Sequence, residues 1–209
     1  CLIVILSGLL FGLTSRLFVS TTHLVQKAFS RMSPQIYLQP FFGGLILIGL
    51  YYIEGSYDYV GLGLSHIQSA LISASNWKEP VLKMIFTSLT VGSGFKGGEF
   101  IPLVFMGTTL GSALSFVMPI SLPLLARLGF ASVFAGAANT PIACSIMAVE
   151  LFGYEIAPYA LLACFSSYFI SGHKGIYHSQ RIHARKYRHL KLFLNCTHLF
   201  GRKNKKDSS

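Results

Sequence analysis

Apolar residues fall in seven runs of unequal length, at 2–18, 41–53, 81–91, 100–118, 122–134, 141–152 and 156–170. A plain membrane-crossing helix needs roughly 20 apolar residues, so several of these predicted helices are too short to cross fully upright. Glycine or proline interrupts most of them, at Gly43-Gly44, Pro102, Pro119, Pro123, Pro141 and Pro158. Irregular backbone at membrane depth is tolerated only where protein or a watery cavity satisfies it. The pattern predicts an all-α, polytopic membrane protein of broken and tilted helices. That is the architecture of a transporter or channel, not of a receptor or a single-pass anchor.

The connections are polar. Residues 31–40 read as a loop with Pro34 and Pro40, and 54–63 as a turn rich in Gly, Tyr and Asp. Residues 64–75 place Leu64, Ile67, Leu71 and Ile72 at the spacing of a helix lying in the membrane interface. No internal repeat is visible.

Composition agrees with the pattern. The chain is 52% hydrophobic and 11% charged, with a mean hydropathy of +0.57, whereas soluble domains are about one-quarter charged. Seven Lys or Arg and six Asp or Glu lie between residues 2 and 172, but ten Lys or Arg and the single acid Asp207 lie beyond. This divides the chain into a membrane transport domain, 1–180, and a basic tail, 181–209. The positive-inside tendency puts the tail in the cytoplasm. There it either touches anionic lipid head groups, at about 1 kcal/mol per basic residue, or is disordered. Behind so apolar a body it is not read as a nucleic-acid arm.

Cys1, Cys144, Cys164 and Cys196 lack ligand spacing, so no metal or cofactor is expected. Residues 2–13 resemble a signal-peptide core without its basic leader or cleavage site, and are read as a helix cut by a fragment boundary. The glycine-rich stretch is no phosphate loop, because it lacks the Gly-Lys-Ser/Thr ending. With no nucleophile–base pair either, an enzyme is not expected.

Most of the chemistry is concentrated in Gly92-Ser93-Gly94-Phe95-Lys96-Gly97-Gly98-Glu99-Phe100-Ile101-Pro102. Glycines allow a sharp turn that brings N–H groups into the open, and Pro102 suits a first helical turn. A helix starting near Glu99 or Phe100 would leave the amides of Phe100, Ile101 and Leu103 without intrahelical partners, at the positive end of the helix dipole. An anion can exchange its water for those donors. Glu99 is open to two readings, an ordinary acid in a first turn or a functional intramembrane carboxylate. Lys96 either pairs with Glu99 or lies at the mouth of the site. Gly107 and Gly111, at i and i+4, form a close-packing face. Phe100 and Phe105 are core residues or, through their electropositive ring edges, walls of an anion path.

Two further stretches stand out. In Asn139-Thr140-Pro141, either Asn139 or Thr140 serves as N-cap, with Pro141 at the first helical position. Glu150, two to three turns on, suits an interface or a helix end better than a proton relay. In residues 173–180, Tyr177 is an interface-belt residue or a hydroxyl donor to an anion. His173 and His178, at i and i+5, do not share a helix face and make no metal pair.

Residues 94–102 (Gly-Phe-Lys-Gly-Gly-Glu-x-x-Pro), 134–141 (Phe-Ala-Gly-Ala-x-Asn-Thr-Pro) and 175–180 (Gly-Ile-Tyr-x-Ser-Gln), in this order, resemble the second half of a CLC-type anion transporter. Gly98-x-Phe100-x-Pro102 is similar to the general CLC anion turn. The preceding Gly-Phe-Lys-Gly-Gly-Glu is similar to the bacterial branch that exports fluoride in exchange for protons. The likeness runs to about Lys186.

The resemblance implies a fold of two inverted halves per subunit, of which this chain would be the second, in a homodimer when full length, in a bacterial cytoplasmic membrane. It implies an anion-binding set of Gly98, Glu99, Phe100, Ile101, Phe105 and Tyr177. Phe100 and Ile101 would offer amides, Tyr177 its hydroxyl and Phe105 a place beside the fluoride path, with Glu99 a candidate for proton coupling. The implied partners are fluoride or chloride, protons and lipid. Exchange would follow from a carboxylate that displaces the anion as it gains or loses a proton. Two departures stand beside this. The branch often has Val-Thr where this chain has Phe100-Ile101, and the family's gating Gly-x-Glu-Gly turn does not occur in these 209 residues. The rival expectations are a chloride channel or chloride/proton exchanger, and a truncated membrane protein that only dimerises.

Overall fold

The computed structural model describes residues 1–32, 37–172 and 175–177. Pro34, His173, Lys174, His178, Cys196 and the basic tail lie outside them. The chain divides into two units, Cys1–Ile176 and Tyr177–Ser209. Among the described residues the first unit contains α1 (Leu2–Met32), α2 (Leu38–Glu54), α3 (Leu64–Ala70), α4 (Lys78–Gly92), α5 (Phe100–Leu114), α6 (Leu122–Ala138), α7 (Pro141–Phe152) and α8 (Ala157–Ile170), with one 3-10 turn at Tyr154–Ile156. The described residues form no strand, as the apolar runs predict.

Apart from Pro119, which lies in the turn between α5 and α6, the described prolines begin helices instead of breaking them. Pro40, Pro80, Pro102, Pro123, Pro141 and Pro158 all fall within the first three positions of their helices. A missing N–H costs little there, because the first amides of a helix have no intrahelical acceptor. Nor do Gly43-Gly44 break α2. Gly43 lies inside that helix, buried against Ser93 at the end of α4.

Helix α1 is far longer than its apolar run at 2–18. Its 31 residues span about 46 Å at 1.5 Å per residue, and among the described helices it alone is both long and apolar enough to cross a membrane. The run of Ser, Thr, His and Gln after residue 18 stays helical because α4 accepts it. Thr21 and Thr22 lie 3.0 and 3.3 Å from the Ser88 hydroxyl. Two expectations shorten. Helix α5 ends at Leu114, not residue 118, in a turn where the Ser115 hydroxyl donates to the Ser112 carbonyl at 2.7 Å. The interfacial segment is helical only over Leu64–Ala70. The residues after it are tied to α5, where Ser112 donates to the Ser73 carbonyl at 2.8 Å and accepts from the Ser75 amide at 3.0 Å.

At the centre stands α6, packed by α1, α5, α7 and α8. Its contact faces are small residues. Gly107 of α5 and Gly129 of α6 meet backbone to backbone, and a methyl on either would run into the other's carbonyl. Gly111 meets the Leu125 carbonyl in the same way, so the i, i+4 glycine pair is a packing face. Hydroxyls join the remaining neighbours. Ser15 of α1 donates to the Val133 carbonyl and Ser167 of α8 to the Ser132 carbonyl, each at 2.6 Å. Small residues and buried Ser/Thr bonds are how helices associate where lipid offers no hydrophobic drive. Helix α2, by contrast, leaves Phe41, Leu45, Ile48, Tyr52 and Ile53 exposed.

Candidate anion site

The glycine-rich run forms the link between α4 and α5. Its tight bend is made at one place, Gly94, where φ is +94°. The Ser93 amide donates to the Leu89 carbonyl at 2.9 Å and the Gly94 amide to the Val91 carbonyl at 3.1 Å, which closes the end of α4. Gly97 and Gly98 have ordinary φ, and a side chain on either would point into open space. Their small size keeps the approach to α5 clear without being needed for the bend.

Helix α5 starts at Phe100, with Glu99 as N-cap residue and Pro102 in the first turn. The expectation of three free amides is corrected at Leu103, whose N–H donates to the Glu99 carbonyl at 3.3 Å. The donors that precede the helix's own bonding are therefore those of Phe100 and Ile101, at the positive end of its dipole. The Glu99 side chain is partly buried and does not cap its own helix. Lys96 is exposed and forms no ion pair with Glu99.

The two phenylalanines sit differently. Phe100 packs edge-on against Phe134 of α6, with ring centroids 4.8 Å apart, and fixes where α5 begins. Phe105 is fully buried. Its ring stacks on His66 at 5.9 Å and meets Tyr59 edge-on at 6.3 Å. His66 in turn faces Asp58 at 3.8 Å, and Asp58 accepts from Ser56.

One residue stood unremarked in the sequence. Lys83, inside the apolar run 81–91, is 1% exposed. Its ammonium donates to the carbonyls of Gly61 at 2.5 Å and Tyr59 at 3.2 Å, and lies 4.9 Å from the centroid of the Phe105 ring. A cation within a membrane-buried segment was the signal that could have found it. A cavity of about 120 Å³ beside it is lined by Lys83, Thr87, Gly97, Gly98 and Pro102, among others.

The remaining candidates resolve as follows. Asn139 is not an N-cap; it closes α6 in the left-handed region (φ 59°, ψ 37°), its amide bonded to the Ala135 carbonyl. Thr140 takes the N-cap position of α7, with Pro141 first in the helix. Glu150 is exposed and borders an apolar cleft of about 450 Å³ shared with Val149, Tyr154 and Leu161. Tyr177 opens the second unit and is 49% exposed.

A bundle of mostly short helices, six of them proline-started, joined by small residues and buried hydroxyls, with the first turn of α5 beside a cavity, is that of a polytopic membrane protein. Residues 1–172 match the family described as voltage gated chloride channel, and the chain belongs to that family of integral membrane proteins. It is similar to the chloride/fluoride channel protein of Pseudomonas syringae pv. tomato, with 45% identity over 195 residues, covering 90% of this chain and 43% of that one. It is also similar to the voltage-gated ClC-type chloride channel ClcB of Salmonella typhimurium, with 30% identity over 77% of this chain and 41% of that one. The crystal structure of a CLC-type fluoride/proton antiporter superposes with a TM-score of 0.83 at 31% identity, covering 86% of this chain and 46% of that chain. The chain thus spans less than half the length of these relatives.

Proposed function

We propose that this chain forms the second half of a CLC-type subunit, and that the complete subunit exports fluoride in exchange for protons. The observation that carries the reading is the α4–α5 link, where a bend at Gly94 and two side-chain-free residues, Gly97 and Gly98, lead into the first turn of α5, whose Pro102 lines a cavity together with those glycines. Backbone donors at a helix start suit a small anion that must give up tightly held water. In this reading Phe100 and Ile101 bind the anion, and the Tyr177 hydroxyl is the further donor that the family resemblance adds. Gly98 keeps the approach open and Phe105 borders the path. Glu99 couples the proton, because a carboxylate and an anion compete for the same positive potential. Two inverted halves with the ion at their meeting place are a common transporter plan, so the half alone is expected not to transport. The exposed apolar faces of α7 and α8, with Ile142, Ile146, Leu161 and Leu162, suit a homodimer contact in a bacterial cytoplasmic membrane.

The test is efflux from liposomes holding the complete subunit, followed with fluoride and chloride electrodes. Fluoride leaves and protons enter in the wild type. Tyr177→Ala and Glu99→Gln each slow efflux about tenfold or more, the effect of losing a hydrogen bond to a charged group. Unchanged efflux in both variants would sink the site assignment. Chloride transport is the second reading, favoured by Ile101, which brings no hydroxyl to the ion. Chloride efflux exceeding fluoride efflux would decide for it.

A further inference from the structure

Lys83 is the only charged side chain among the described residues that is buried. Its three ammonium hydrogens meet two backbone carbonyls, of Tyr59 and Gly61, and the Phe105 ring lies beyond. None of these is an anion, and no carboxylate of the described residues lies within ion-pair distance of Lys83. A lone buried charge costs several kcal/mol unless an opposite charge joins it. The adjoining cavity of about 120 Å³ has no acid in its lining. Thr87, one turn along the same face of α4, borders that cavity, and its hydroxyl makes no hydrogen bond within the described residues. Thr90, a turn beyond, has already committed its proton to the Phe86 carbonyl at 2.8 Å. Pro102 of the first α5 turn lines the cavity too. Phe105, on which Lys83 rests, lies about 8 Å along the axis from Phe100 at 1.5 Å per residue. One small space thus adjoins the Lys83 ammonium, the Thr87 hydroxyl and the first turn of α5.

We propose that Lys83 and Thr87 hold a small monovalent inorganic anion in this cavity, a station separate from the α5 amides. Its place on a transport path rests on the reading of α5 above, but its binding does not. The ammonium supplies charge, Thr87 one hydrogen bond, and Gly97 and Gly98 leave the passage toward Phe100 unobstructed.

Calorimetric titration of the purified complete subunit with sodium fluoride and with sodium chloride tests it, alongside liposome efflux. The wild type is expected to bind two anions per subunit and Lys83→Met one, with Lys83→Arg restoring the second. In efflux, Lys83→Met raises the half-saturating anion concentration at least tenfold. Ser56→Ala, which disturbs the same 55–63 loop without removing the cation, changes neither readout. Equal stoichiometry and affinity in wild type and Lys83→Met, both monodisperse with the same melting temperature, overturn the station. So does a Ser56→Ala shift as large as that of Lys83→Met, which would mark Lys83 as a loop anchor only. Two bound anions without any efflux would instead retain the station and refute the transport reading.

Discussion

The α1–α6–α8 side and the α3–α4–α5 side of this molecule use the same small residues for opposite ends. On the first, glycine and serine remove space. Gly136 lies so close to Ser15 and Ser167 that an added methyl would meet both hydroxyls, at 2.8 and 2.6 Å. On the second, glycine preserves space, since Gly97 and Gly98 have nothing within reach of a side chain. Helix α5 belongs to both sides, pinned to α6 at Gly107 and open to a cavity near its start. A glycine's place in the sequence does not say which use it serves; its neighbours in space do.

Substitutions that respect or violate this division should separate the two sides sharply. Gly107→Leu forces the α5–α6 backbones apart and is expected to cost more than about 3 kcal/mol, beyond ordinary overpacking; size-exclusion chromatography should show aggregation in place of a single species. Ser15→Ala removes one buried hydrogen bond to the Val133 carbonyl. A loss of about 1 kcal/mol is expected, read as a modest drop in melting temperature. Gly97→Ala, on the open side, should leave stability within about 0.5 kcal/mol of wild type. A large loss there would mean that the turn depends on glycine at that position.

Much of this was legible in the chain. The boundaries of Pro141–Phe152 and the start of α5 at Phe100 follow from proline and glycine placement, because those residues act locally on the backbone. The second half of α1 was not legible. Its Thr and Ser resemble a loop until Ser88, 66 residues away, is seen to bond Thr22. The sequence left Asn139 and Thr140 as alternative N-caps because Asn suits either helix end, and only its left-handed φ shows Asn139 to be a closing cap and leaves Thr140 as the opening one. Lys83 was hidden by averaging, since one cation barely alters the hydropathy of an eleven-residue run. Its partners, Tyr59 and Gly61, come from a loop more than 20 residues earlier.

The Gly107–Gly129 crossing also limits how the molecule can move. Packed side chains can change rotamer and let two helices slide or tilt, but a contact made of backbone atoms has no such freedom. Helices α5 and α6 are therefore expected to move as one body. Any cycle of opening and closing around the start of α5 then falls to the side chains and loops that border it, while the Phe100 and Ile101 amides serve as the stationary reference against which those parts shift.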